Sequence, residues 1–183
     1  RQRQMCIRDS INTKNMEEIN MTVVLARLDQ RLVHGIVVNQ WAAEVQPKRY
    51  MVIDDAVSQD EDVKASMRLS KPAGTGMSII DTEKALTNFK AGKYDAQRVF
   101  VIAKEPSTML KLLDAGIEIP RVDIGIIFAE DGRTQISKFV SVNQQEVADF
   151  KELEKRGVPV NIRYVPADSP EPFDKAIAGK DIK

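Results

Sequence analysis

The chain has 183 residues, 43% of them hydrophobic, with 27 Lys plus Arg set against 27 Asp plus Glu. That length makes one domain of ordinary size with a real core, and the even charge gives no electrostatic case for a nucleic-acid or acidic-membrane partner. One cysteine and one histidine exclude a disulfide framework and a zinc cluster of the usual kind, and no apolar run approaches the ~20 residues that span a bilayer.

No signal-peptide h-region opens the chain, so the composition predicts a soluble intracellular α/β protein. Residues 1–20 (RQRQMCIRDSINTKNMEEIN) lack a repeating apolar period and read as a disordered or non-native tail, with Met21 or Met16 as the expected true start. Cys6 lies in that tail and reads as an irrelevant thiol. An apolar run from Thr22 to Leu25 predicts the first strand, and the amphipathic run from Ile36 to Val45 predicts the first helix. Strand, short loop and helix start meet at His34–Gly35, the kind of position where an open α/β sheet presents its chemistry.

The βα rhythm then repeats. Arg49 to Asp54 reads as a buried strand, and Glu61 to Leu69 as a helix ended by Lys71-Pro72 and the Gly74–Gly76 turn. Met77 to Ile80 is a third strand, with Asp81 and Thr82 as N-cap candidates for a helix from Glu83 to Ala91. Arg98 to Ala103 is a fourth; Pro106 or Ser107 opens a helix closed by Gly116. Val122 to Phe128 is a fifth, Asp131-Gly132 a turn, and Phe139 to Val142 a short β-rich piece. Asn143 caps a helix through Arg156, and Val160 to Val165 is the last strand. Pro166, Pro170 and Pro172 are expected to end regular structure, which divides the chain into a tail 1–20, a domain 21–166 and a C-terminal tail 167–183. Strands apolar on both faces, alternating with helices, predict an open, mostly parallel twisted sheet of six to seven strands with helices on both faces.

His34 is the only histidine, and Arg27, Asp29 and Arg31 lie within seven positions of it. A neutral imidazole beside fixed cations and free helix N–H groups suits transient holding of a phosphoryl group. Arg31 is the better candidate of the two arginines to bind phosphate oxygens bidentately. Asp29 would repel a phosphoryl group, so it reads either as orienting an arginine or an imidazole N–H, or as a loop cap. Gly35, with no Cβ, leaves room for a partner to approach the ring. Asp54–Asp55 looks like an acidic Mg²⁺ pair, yet Asp81 and Lys104 fit a receiver-type site only loosely, which favours capping or interface use. Trp41, at helical spacing from Val37 and Val38, reads as core, and Gly74-Thr75-Gly76 sits before a strand, the wrong order for a nucleotide loop. Ser137 and Lys138 have no physical role legible in the sequence.

The string R-L-D-Q-R-L-V-H-G-I-V from Arg27 to Val37 resembles the signature R-(I/V)-D-D-R-(L/I)-(I/V)-H-G-Q-(V/I) of a known family. That family is the IIB component of the mannose/fructose/sorbose class of the bacterial phosphoenolpyruvate-dependent sugar phosphotransferase system. The similarity continues through Trp41, Asp54–Asp55 and Asp131 to Val142 (DGRTQISKFVSV), and spans about Met21 to Pro166. Gln30 and Ile36 replace the usual Asp and Gln, and Gly125-Ile126-Ile127 the usual Gly-Gly-Met; these departures bear on partner and sugar preference.

The resemblance implies that His34 takes a phosphoryl group on Nδ1 from a phosphorylated IIA protein and passes it to a sugar entering through the IIC/IID membrane permease. It implies a protein-N(pi)-phosphohistidine–sugar phosphotransferase, cytoplasmic and peripherally associated with that permease, with no cofactor and no metal. A homo-oligomer stays open. Two other readings compete: a non-catalytic partner-binding module that keeps the fold, and a histidine-phosphoenzyme phosphatase or mutase. The latter chemistry calls for a second histidine and an arginine directly before the first, where this chain has Val33.

Overall fold

The computed structural model describes residues 22–182. The expectations for the 1–20 tail, the starting methionine and Cys6 fall outside the described residues. Strands β1 (Val23–Asp29), β2 (Arg49–Ile53), β3 (Gly76–Ile80), β4 (Val99–Ala103), β5 (Val122–Ile126), β8 (Val160–Ile162) and β9 (Glu171–Pro172) form one sheet in the order β3-β2-β4-β1-β5-β8-β9. All neighbours run parallel except β8 and β9. A separate antiparallel ribbon pairs β6 (Thr134–Ser137) with β7 (Val140–Val142). The helices are α1 (Gly35–Val45), α2 (Glu61–Leu69), α3 (Thr82–Lys90), α4 (Pro106–Asp114), α5 (Gln144–Lys155) and α6 (Phe173–Ile177).

Strand periodicity splits the core into two layers. In β4, Phe100 and Ile102 join Val37, Val38 and Trp41 of α1, whereas Val99, Val101 and Ala103 join Met109, Leu112 and Phe150 on the opposite face. Helices thus cover both faces, as expected for strands that are apolar on both sides. The caps on Asp81 and Asn143 are present: Asp81 accepts from Lys84 N, and Asn143 and Glu146 complete a capping box. β1 and β2 end on the same edge of the sheet but are not neighbours, because β4 lies between them.

The C-terminal expectation needs correction. Regular structure does not end at Pro166. Pro172 stands opposite Asn161 on the outer edge of the sheet, where its missing N–H costs little, and opens α6. Phe173 is fully buried, with its ring 4.6 Å from that of Phe150. Residues 171–177 belong to the same core as the rest. β8 is also shorter than expected: Arg163 N still donates to Ile124 O of β5 at 2.9 Å, and beyond it the carbonyls of Arg163 and Tyr164 meet Arg27 of β1.

Candidate active site

The site grows from the alternation of β1. A register irregularity between Val23 and Leu25 is followed by an alternation that sends Ala26 and Leu28 to one face and Arg27 and Asp29 to the α1 face, with a second shift against β5 between Leu28 and Asp29. Both charged side chains are fully buried there. Arg27 lies over Trp41, its Cζ 4.9 Å from the centre of the ring. It donates from Nη1 to Arg163 O at 2.9 Å, and from Nη2 to Tyr164 O at 3.0 Å and Asp29 Oδ2 at 3.1 Å. Burial pulls the guanidinium below its ordinary pKa, while Asp29 pushes back. This corrects the expectation for Arg27: strand phase turns it under α1, so it holds Asp29 and the Arg163–Tyr164 backbone and has no surface for a ligand.

Only glycine at 125 allows that packing. Arg27 stands opposite Asp123 in the ladder, and a Cβ on Gly125 would fall 1.8 Å from Arg27 Nη2 and 2.9 Å from Asp29 Oδ2.

After Asp29 the chain makes a tight turn in which Leu32 N donates to Asp29 O at 2.8 Å. Leu32 sits at φ 57 with its side chain buried, a left-handed backbone that a leucine adopts at a cost of about 1–2 kcal/mol. His34 follows as the N-cap of α1 in extended conformation. Unlike Asp60, Asp81 and Asn143, it makes no side-chain cap, and the first turn of α1 holds no acidic residue. Its N–H groups therefore remain available to an anion. Gly35 is exposed, with no atom closer than Asn39 Nδ2 at 3.8 Å to a Cβ built on it, so the space beside the imidazole is open.

Asp29 orients this imidazole. Its Oδ2 lies 3.2 Å from His34 Nε2, and its Oδ1 accepts from Arg31 N at 3.1 Å. The same carboxylate thus reaches the imidazole nitrogen, the Arg27 guanidinium and a loop N–H. Burial pushes the Asp29 carboxyl up, but the His34 hydrogen bond and the Arg27 charge outweigh burial and hold it below its ordinary value. An ionised carboxylate only accepts, so Nε2 carries the hydrogen and Nδ1 keeps its lone pair. The histidine side chain is 20% exposed. Arg31, one third exposed as a side chain, places Nε 3.5 Å from Asp29 Oδ1; its Nε and Nη2 are themselves buried and make no hydrogen bond among the described residues. Its Cζ lies 5.8 Å from the Tyr164 ring. Of the two arginines, Arg31 is the one whose side chain reaches the surface.

Gln30 keeps an acceptor where the signature has Asp: its Oε1 accepts from Phe128 N at 2.7 Å, tying the loop to the end of β5. Gly125, Arg163 and Tyr164 were missed by sequence reasoning. A glycine inside an apolar strand signals close backbone approach and could have marked Gly125. Arg163 and Tyr164 left no signal, because they contact Arg27 through their carbonyls.

Asp54 and Asp55 lie apart from this constellation. Asp54 accepts from Val57 N at 2.8 Å and pairs with Lys104 Nζ at 3.0 Å; Asp55 accepts from Thr82 N at 2.7 Å. Both act as caps, and no cluster of three or more His, Cys, Asp or Glu among the described residues could hold a metal ion.

The family profile of the PTS system sorbose subfamily IIB component matches residues 23–183. The chain belongs to that family. It is similar to the sorbose-specific EIIB component of Lacticaseibacillus casei, 34% identical over 148 residues that cover 81% of this chain and 90% of that protein. It is 31% identical to the mannose-specific EIIAB component of Escherichia coli strain K12, over 81% of this chain but only 46% of that longer protein. In structure it resembles the IIBSor domain of the sorbose permease from Klebsiella pneumoniae, with a TM-score of 0.82 and 30% identity over 86% of this chain and 96% of that one. This chain is therefore a IIB component of the sugar phosphotransferase system.

Proposed function

We propose that this IIB component is a phosphoryl carrier that accepts a phosphoryl group on Nδ1 of His34 from a phosphorylated IIA protein. It then transfers the group to a sugar imported by the IIC/IID permease. The observation that carries this reading is the 3.2 Å contact between ionised Asp29 and His34 Nε2, which leaves Nδ1 as the nucleophile at an uncapped helix start.

Nδ1 attacks the phosphorus of the donor's phosphohistidine; the new N–P bond forms as the donor's N–P bond breaks and its imidazole leaves. The Nε2 proton stays hydrogen-bonded to Asp29, whose charge stabilises the cationic ring as it forms. Arg31, whose side chain is one third exposed, and the first N–H groups of α1 meet the phosphoryl oxygens. A charge-assisted bond of this kind contributes about 1.5–3 kcal/mol, and the helix end about 0.3–1 kcal/mol. In the second step a sugar hydroxyl attacks phosphorus, the N–P bond to His34 breaks, the hydroxyl proton leaves to solvent, and neutral His34 returns. Catalysis is mainly positioning and charge stabilisation.

That the mannose relative is named an EIIAB component supports a IIA partner. No helix among the described residues is long and apolar enough to cross a membrane, which agrees with a cytoplasmic carrier docked at the periphery of the permease.

The test incubates the chain with phosphoenolpyruvate, the general phosphotransferase proteins and a panel of IIA donors, and follows mass and acid lability. One acid-labile phosphoryl group, absent from His34→Ala, is expected. Failure of every donor to label a folded wild-type chain would replace the carrier with a partner-binding module.

A further inference from the structure

Among the described residues only Leu69, Phe128 and Phe139 are large apolar side chains left exposed, and the two phenylalanines flank one depression. It encloses about 160 Å³ and is lined by Ile126, Phe128, Ala129, Lys138, Phe139 and their neighbours. Two links join it to the His34 loop. Gln30 Oε1 accepts from Phe128 N at 2.7 Å. On the other side a ladder runs from Lys138 Nζ, 4.9 Å from the Phe139 ring, to the Tyr164 ring at 4.5 Å from Phe139, and on to Arg31 at 5.8 Å from Tyr164.

We propose that this socket is the docking point for the phosphorylated donor protein, which inserts one apolar side chain between Phe128 and Phe139 and sets a carboxylate against Lys138. The proposal rests on the carrier reading and adds the surface by which the donor is chosen. Charge decides the occupant. The ladder is cationic at both ends, Lys138 and Arg31, and the loaded donor arrives with a phosphoryl charge of about −2 beside its docking face. An encounter of two proteins that must part after each transfer buries a small interface, and such interfaces depend on one or two anchored side chains. A socket this size takes one aliphatic or aromatic side chain. Because Phe128 and Phe139 are tied to the loop that holds His34, a donor anchored there is held beside the imidazole.

The experiment measures initial rates of His34 phosphorylation against concentration of the IIA donor that labels wild type. It uses Phe128→Ala, Phe139→Ala, Ala129→Trp and Lys138→Glu, each verified as folded by circular dichroism. Ala129 is exposed, so its tryptophan fills the mouth of the socket without entering the core. A second assay gives each variant already phosphorylated to membrane vesicles carrying the permease and follows sugar phosphorylation. The expected result is a KM for the donor raised about tenfold or more in Ala129→Trp and Phe139→Ala, with the maximal rate within about twofold and the vesicle step unchanged. An unchanged donor KM overturns the proposal, as does a defect confined to the vesicle step, which would assign the socket to the permease. A wild-type chain that takes no phosphoryl group from any donor overturns the carrier reading, and the proposal with it.

Discussion

Two oxygens of Asp29 meet three partners, Arg27, Arg31 N and His34 Nε2, and the third of these decides which ring nitrogen can react. Asp29→Asn keeps the size of the side chain but can turn an amide N–H toward Nε2. The ring then carries its proton on Nδ1, and the nucleophile is lost. Phosphorylation of this variant is expected to slow on the order of a hundredfold or more, and ¹⁵N spectra of the imidazole should report the reversed tautomer. A normal rate would mean that Asp29 is only a loop cap. Gly125→Ala tests the same arrangement from behind: a Cβ 1.8 Å from Arg27 Nη2 forces the guanidinium off Asp29. The expected loss is about 1–3 kcal/mol of stability in urea titration, together with slower phosphorylation. At this scale spacing and charge bring His34, Asp29 and Arg31 together as candidates, and the structure places the Asp29 carboxylate against the other two. The direction of Arg27 could not be read, because it depends on a strand phase set by the irregularity near Val23. Gly125 carried the signal of a glycine inside an apolar strand, but not the identity of its partner, which comes from another strand.

Local signals mark an element well when its ends carry caps and its interior a period. Asp81, Asn143 and Pro106 all stand where the sequence placed helix starts. β6 escaped because Thr134 to Ser137 is mostly polar and its pairing with β7 depends on the turn between them. β9 and α6 escaped because three prolines in the 166–172 segment read as a stop, whereas Pro172 lies where a sheet edge tolerates it. The packing of α6 is testable. Phe173→Ala removes a fully buried ring and should cost about 3–5 kcal/mol, seen as a large drop in Tm. A drop within the range of a surface change would show that residues 171–177 are dispensable to the core.

Across the whole molecule, two buried carboxylates respond to acid in opposite senses. Asp29 is held below its ordinary value, so its stabilisation is complete above the unfolded value near pH ~4 and is lost as pH falls through its folded value. Asp123 is raised, chiefly by burial, against Arg121, Arg163 and Arg27. As pH falls through that raised value the folded state takes up a proton before the unfolded one, and stability gains. Urea midpoints across pH should therefore fall steeply only below pH ~4, and less steeply in Asp29→Asn; equal slopes would remove Asp29 from the acid response. Leu32 adds a consequence of another kind. A leucine held in the left-handed region, with its side chain sealed in the core, makes the His34 loop a fixed post rather than a swinging arm. A carrier built on a post cannot hand its cargo across a gap between two bound proteins. On the carrier reading each visitor must reach the same imidazole, and the first must clear it before the next arrives.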